Sequence, residues 1–413
     1  MFVGKISAID LGGCPPGARQ TISDISMKDD SVEHIDHFDI MIVGAGPAGI
    51  STWLHLKKFA PELADHTLLI DKAVFPRGKL CAGGFGTWGE DVLNQLDIAL
   101  DIPSLFVSDV EFRFRDQIWV FHSPNPFRMV QRADFDMVLV DSAIKRGMVF
   151  HENEQFIRVE RVQDTLVVMT SQGKYRVKAL VGADGSLSRV RRAMMRPYQT
   201  CLAPTIQVSA PVEPSYDTEF ACKKMLIDFS SVEKNLQGYT WHFPVLHDGA
   251  PFMNHGIVNF RLFPDRPRGD MKKIFHRELQ TRHIAIPPGA WSSHPIRWYS
   301  DDVPIAGPNV ILAGDAAGIE PALGGGIHMA LSYGEVAARE LIQAFQNQNF
   351  LFRQYKKALM SNYLGQDIRE FIDLAHKIYG GEENPLKQVR EFLTNRLMRN
   401  KLRSLLLSQK NIS

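Results

Sequence analysis

Apolar and polar positions along this chain change rhythm several times, and the changes mark its elements. Ile40 to Val43 is a continuous apolar run, as in a strand covered on both faces, and a helix-like segment follows it. HTLLIDKA (His66 to Ala73) reads as a second strand of the same kind. Between Leu105 and Phe127 the pattern becomes period two, most clearly in VEFRFRDQIWVF, which predicts strands crossing into a sheet-rich region. Helical spacing returns over Arg132 to Met148, with Phe135, Val138, Leu139 and Ala143 on one face. Tyr175 to Arg192 predicts one more strand, a turn and a basic segment. Residues 200 to about 300 carry strand-length runs rich in Pro, aromatic and β-branched residues. Asn309 to Ile342 is a buried strand, a glycine triplet and a long helix, and helices follow past Phe345. Residues 1–37 have no apolar periodicity and no secretory apolar core; they predict a disordered leader, with Met27 as a second candidate start.

The first strand runs into VGAGPAG, with Gly44, Gly46 and Gly49 at the spacing of a dinucleotide-binding turn. The first glycine allows the tight turn, the second lets a pyrophosphate approach backbone, and the third lets helix and strand pack closely. The phosphates then meet the unpaired N–H groups at the positive end of the helix. Asp71, 22 residues past Gly49 at the end of the second strand, stands where an acid bonds a ribose. A second nucleotide signal is GDAAGIEPALGGGI. Asp315, after Gly314, can accept from a polyol chain, and the N–H groups of Gly325, Gly326 and Ile327 suit an anionic flavin N1–O2 edge. A nicotinamide has no such edge, so the pair of signals favours FAD.

Charge and cysteine content narrow the class. With 47 Lys and Arg against 46 Asp and Glu, the net charge of +1 gives no reason to expect nucleic acid. Cys14, Cys81, Cys201 and Cys222 are scattered, without zinc-type spacing, which predicts no metal and a reduced, cytoplasmic compartment. No apolar run reaches the roughly 20 residues that span a bilayer. From Leu386 to Leu406, leucines at helical spacing alternate with Lys and Arg. Such a helix either covers a domain or lies on anionic lipid at the inner face of a membrane.

Other candidates sit beside these motifs. In PRGKLCAGGFG, Arg77 and Lys79 answer phosphate charge, and Cys81 is either near the cofactor ring or a small buried hydrophobe. Arg132 is a solvated charge or a cofactor contact, and Asp184 a turn residue or a nucleotide contact. In YTWHFP, Tyr239, Trp241 and Phe243 share one strand face, with Thr240 and His242 on the other. That aromatic face is sheet core or the wall of a hydrophobic pocket.

Taken together, the motifs resemble the geranylgeranyl reductase family, a branch of the p-hydroxybenzoate hydroxylase-like flavoproteins. The resemblance rests on VGAGPAG (Val43 to Gly49), FPRGKLCAGG (Phe75 to Gly84), VGADGSLSRVRR (Val181 to Arg192) and GDAAGIEPALGGGI (Gly314 to Ile327), covering about 38–345. YxWxFP is present as Tyr239, Trp241, Phe243 and Pro244, which in that family line the lipid pocket. Two features depart from the pattern: Ala82 interrupts the glycine run after the cysteine, and the GxG after YxWxFP survives only as Gly256-Ile257-Val258. Both bear on the pocket's shape. The resemblance implies FAD contacts at Ala48, Asp71, Cys81, Ala82, Gly84, Arg132, Asp315, Gly326 and Ile327.

The fold so implied is α/β (α+β). It has one Rossmann-type FAD-binding domain (38–104, 130–200, 300–345), an inserted antiparallel-sheet substrate domain (105–129, 201–299) and a C-terminal helical segment (346–413). The activity implied is reduction of C=C bonds in a polyprenyl chain by hydride from flavin N5, with Cys81 as the candidate proton donor. With a single dinucleotide-binding domain, the reductant is a transient NAD(P)H or a ferredoxin-like electron-donor protein. The alternatives on the same scaffold are an aromatic hydroxylase and, behind it, a halogenase, whose WxWxIP differs here at Tyr239 and Phe243. A non-catalytic FAD-binding protein is a fourth reading.

Overall fold

A computed structural model describes residues 35–194, 201–215, 217–286 and 289–380. The leader up to residue 34 and the basic leucine-rich stretch 386–406 lie outside the described residues. Two sheets set the architecture. The first has six strands in the order Ala306–Gly307, Val310–Leu312, Ala179–Gly182, Ile40–Val43, Thr67–Ile70 and Val149–His151. All neighbours in it are parallel except the edge strand Ala306–Gly307. Helices cover it, so Ile40–Val43, Thr67–Ile70 and Ala179–Gly182 are buried along their whole length, as their unbroken apolar runs require. The helices Pro47–Phe59 and Ile327–Asn347 lie side by side so closely that a Cβ at Gly334 would stand 2.3 Å from Ser51 Oγ.

The second sheet has seven strands in the order Thr205–Pro211, Ala250–Asn259, Gly238–His247, Lys224–Asp228, Ser104–Phe114, Gln117–Val130 and Gly84–Phe85. It is antiparallel except where Lys224–Asp228 runs parallel to Ser104–Phe114. That exception joins the two separate excursions of the chain, around 104–130 and 205–259, into one surface. The described residues thus form a mixed α/β fold with a mostly parallel six-stranded sheet and a mostly antiparallel seven-stranded companion.

Several local expectations change. Asp36–His37, read as part of the leader, form a short strand parallel to Lys174–Val177. Tyr175 to Gly182, read as one strand, is two: Lys174–Val177 belongs to a small four-stranded sheet and Ala179–Gly182 to the parallel sheet. Gly84–Phe85, expected in the nucleotide-binding stretch, pairs with Met129 and Arg128 at the edge of the seven-stranded sheet. The helix Met271–Thr281, capped by Asp270 accepting from Lys273 N–H, lies inside the region read as strands.

That helix covers the outer face of Gly238–His247 over a buried polar cluster. His242 and His255 are cross-strand partners with Nδ1 atoms 2.7 Å apart, so one donates and the other accepts a single shared proton. His242 Nε2 is 3.5 Å from Glu278 Oε1, and Arg282 Nε donates to that oxygen at 2.8 Å. Burial holds His242 down at about 4, and burial with the neighbouring His242 holds His255 at about 2. Both imidazoles are therefore neutral when folded. A folded pKa below the unfolded value of about 6.5 means that stability is complete above pH 6.5 and falls as the pH drops toward 4 and below. Melting temperatures measured from pH 8 to pH 4 should fall progressively below pH 6.5; a flat profile across that window would contradict the buried neutral pair.

Candidate active site

Three neighbouring parallel strands end at one place, and the turns that follow them make one side of a cavity of about 870 Å³. After Ile40–Val43, Gly44 takes φ +110°, and a Cβ on it would stand 2.4 Å from Ala183 O. A Cβ on Gly49 would lie 1.9 Å from Gly44 O, so the third glycine serves packing and does not line the cavity. Gly46 precedes Pro47, the first residue of the helix, as an N-terminus open to an anion needs. Asp71 accepts from Ala45 N–H at 2.8 Å through Oδ2 and from Ala73 N–H at 2.9 Å through Oδ1. It shapes the glycine turn while lining the cavity.

From the second turn, Asp184 accepts from Arg189 and Val190 N–H through Oδ2, while its buried Oδ1 has no protein partner. From the third, Asp315 lines the cavity, whereas Gly314, at φ +60°, packs against Ala48 behind it. Burial raises the Asp315 carboxyl, with Lys79, Arg132 and Arg297 opposing. Ala48, Ala82, Gly84, Gly325, Gly326 and Ile327 also line the cavity. The expectation for Gly325 N–H needs correction: it donates to Glu320 Oε1 at 2.6 Å and is not free for a flavin edge. The other Glu320 oxygen accepts from Ala322 and Leu323 N–H at 2.6 and 2.8 Å.

Arg132 is buried and grips Asp136 through two nitrogens at 2.9 and 3.0 Å. Burial works against its charge, but Asp136 and Cys81 more than offset that and keep it protonated. Its direct partners are thus Asp136 and the Cys81 sulfur, which also accepts from Gly83 N–H at 3.3 Å. Cys81 is half-buried on the cavity wall and also packs against the core.

The seven-stranded sheet supplies the opposite wall. Tyr239, Trp241 and Phe243 line the cavity beside Met225, Ile227 and Val258. The Tyr239 hydroxyl donates to Leu323 O, tying this wall to the glycine turn. Trp241 Nε1 donates to Asn254 Oδ1 at 2.8 Å, and Asn254 Nδ2 donates to Ser209 Oγ at 3.1 Å. Gly256, the cross-strand partner of Trp241, makes room for the indole: a Cβ there would lie 2.0 Å from it. The apparent remnant of GxG is therefore a packing requirement of the tryptophan.

Two contributors carried no recognised role in the sequence. Arg191 donates to Ala316 O, Ala317 O and Pro304 O at 2.8, 3.1 and 3.2 Å, stapling the third turn to the segment after the second. Burial and Arg297 lower it to about 10. His294, from the loop before Ile296–Arg297, stands on the cavity wall with its Nε2 2.5 Å from Lys79 Nζ. Arg191 stood in a basic run and His294 in a loop, so only its tertiary partners reveal either.

The residues fit FAD. The cavity joins an open helix N-terminus, a glycine-lined approach and an orphaned buried carboxylate oxygen at Asp184 to a long apolar wall. Gly46, Ala48 and Arg77 would meet its diphosphate, Asp71 its ribose and Asp315 its polyol chain.

No family model matches the chain. Two curated relatives are digeranylgeranylglycerophospholipid reductases. One, from Methanopyrus kandleri, is 26% identical over 337 residues, 76% of this chain and 78% of the relative. The other, from Methanosphaera stadtmanae, is 24% identical over 392 residues, 86% and 90% of the two chains. A geranylgeranyl bacteriochlorophyll reductase-like crystal structure from Thermoplasma acidophilum superposes with a TM-score of 0.66 at 19% identity, covering 90% of this chain and all of that one. These likenesses support a resemblance to the geranylgeranyl reductase family. It is an FAD-dependent oxidoreductase, on a fold it shares with enzymes of other chemistry. The flavin-dependent brominase Bmp2, for example, has a TM-score of 0.66 at 18% identity, covering 90% of this chain and 93% of the brominase.

The tightest steric condition on the wall gives a prediction. Gly256→Ala should push the indole of Trp241 into the cavity, shift tryptophan emission and cost about 1–3 kcal/mol in stability, with FAD still bound. Unchanged emission and melting would show that the strand yields instead.

Proposed function

We propose that the protein reduces isolated C=C bonds in a polyprenyl chain. The observation that carries this reading is the wall of Tyr239, Trp241, Phe243, Ile227, Met225 and Val258, an apolar surface facing the cavity across from the nucleotide turns. The relatives named as reductases of digeranylgeranyl lipids support the same class of substrate. When bound, reduced FAD supplies the hydride. An isolated alkene is unpolarised, so the protein's task is to hold the chain flat and exclude water. Tyr239 and Trp241 are pinned by their hydrogen bonds to Leu323 O and Asn254, giving a fixed surface for that purpose. Proton transfer to one alkene carbon ahead of the hydride would leave positive charge on the other, and their ring faces would stabilise it. Cys81, on the cavity wall with its sulfur accepting from Gly83 N–H, is assigned to deliver that proton, and the thiolate left behind would stand beside Arg132. The flavin would be re-reduced by transient contact, either by hydride from NAD(P)H or by two single electrons from a ferredoxin-like protein together with a proton.

Anaerobic turnover tests this directly. Protein reduced with dithionite and given geranylgeranyl diphosphate or a geranylgeranyl lipid should yield product heavier by one hydrogen pair per double bond. Cys81→Ser should slow that conversion by about 10- to 100-fold while FAD stays bound. If no lipid changes and the flavin reoxidises only with air and a phenolic substrate, the aromatic hydroxylase reading replaces this one.

A further inference from the structure

Arg77 and Lys79 stand two residues apart on one loop, yet they serve different surroundings. Arg77 Nη2 lies 3.5 Å from where a Cβ on Gly46 would be, over the start of the first helix. Its charge is answered by Asp136 at 3.2 Å and Asp71 at 3.9 Å. Arg77 and the helix N-terminus thus account for one diphosphate, that of FAD.

Lys79 reaches the other sheet. Its Nζ is 2.5 Å from His294 Nε2, and Ser186 Oγ is 3.3 Å from the same nitrogen. The histidine is anchored from the sheet side: its carbonyl accepts from Thr205 Oγ1 at 2.5 Å, and Ser292 pairs with Gln207. Lys79 has three donor hydrogens and spends one on His294. Among the described residues no carboxylate lies within ion-pair distance of Lys79 or His294, and Asp315 acts on Lys79 only at longer range. Arg132, a buried cation whose charge acts on Lys79, is already paired with Asp136. A part-buried ammonium facing a second basic nitrogen on a cavity wall lacks the counter-charge that such groups ordinarily have.

We propose that Lys79, His294 and Ser186 form a second anion site, which takes the phosphate or diphosphate of a molecule other than FAD at the seam between the two sheets. An arriving phosphate separates Lys79 from His294, accepts from both and from Ser186, and lets the imidazole take up a proton. Burial and Lys79 hold His294 at about 4 without an anion, so binding is accompanied by proton uptake near neutral pH. Lys72 and the exposed Arg189 and Arg192 on the cavity wall add to the same field. A prenyl diphosphate head group and the phosphates of NAD(P)H present the same chemistry here. The inference relies on FAD filling the first anion position and is independent of which substrate is reduced.

Calorimetric titration of the FAD-loaded protein with inorganic pyrophosphate tests it. One site per chain is expected, weakened at least about 10-fold by His294→Ala and by Lys79→Met, with FAD affinity unchanged in His294→Ala. Displacement by geranylgeranyl diphosphate would assign the site to the substrate head group, and displacement by NADPH would assign it to the reductant. No binding to the FAD-loaded protein, or binding indifferent to both substitutions, overturns the proposal. So does a parallel loss of FAD and pyrophosphate affinity in His294→Ala, which would make the site the cofactor's own. Should His294→Ala fail to fold, Lys79→Met decides whether pyrophosphate binding depends on the pair. Pyrophosphate binding without alkene reduction would sink the reductase reading alone; the reverse pattern would sink this one alone.

Discussion

Close passage of backbone past backbone at the ends of three parallel strands is the condition on which the cavity depends. Gly44 leaves its strand within contact of Ala183 O, and Gly49 turns the following helix back over Gly44 O. Either side chain would collide at 2.4 Å or less, so the turn exists only with both glycines. Polar groups then fix what the glycines allow. Asp71 holds Ala45 N–H, Arg191 holds the carbonyls of Ala316 and Ala317, and Glu320 gathers the N–H groups around the glycine triplet. The charged groups are mostly spent on organising backbone, so the surface left for ligands is largely N–H groups, small residues and aromatic rings.

The cavity changes character across its width. Toward the parallel sheet it is polar and carries charges of both signs, with Arg77, Lys79 and Asp184; toward the seven-stranded sheet it is apolar, with Ile227, Trp241 and Val258. The two sides are mechanically joined, through the Tyr239 hydroxyl on Leu323 O and through Lys79 on His294. Behind the apolar side, the neutral His242–His255 pair fills the space under a helix without placing a charge there.

Much of this was legible in the sequence because the nucleotide side is built from local signals. A strand, a glycine turn and a helix are contiguous, so VGAGPAG and GDAAGIEPALGGGI announce themselves, and Asp71 follows at a fixed distance. The alternation in YTWHFP likewise placed Tyr239, Trp241 and Phe243 on one face and His242 on the other, as the strand pairing has them. Features made by contacts between distant segments were not legible. Gly325 N–H looked free because Glu320, five residues earlier, gave no sign of folding back on it. Val177 and Ala179 lie in different sheets though the apolar run across them is nearly continuous, because the chain turns at Lys178. The helix Met271–Thr281 lay hidden by its few apolar residues, of which Ile274, Phe275 and Leu279 are buried. Gly256 looked like a broken motif until its cross-strand tryptophan gave it a reason.

The central claim is that one cavity, shaped by the Gly44–Gly49 turn, holds one FAD and no second resident dinucleotide. Titrating FAD into cofactor-stripped protein while following flavin fluorescence, with NADP+ present in excess, tests it most directly. Saturation is predicted at one FAD per chain, with the midpoint unmoved by NADP+. Saturation at two equivalents, or displacement of FAD by NADP+, would contradict it.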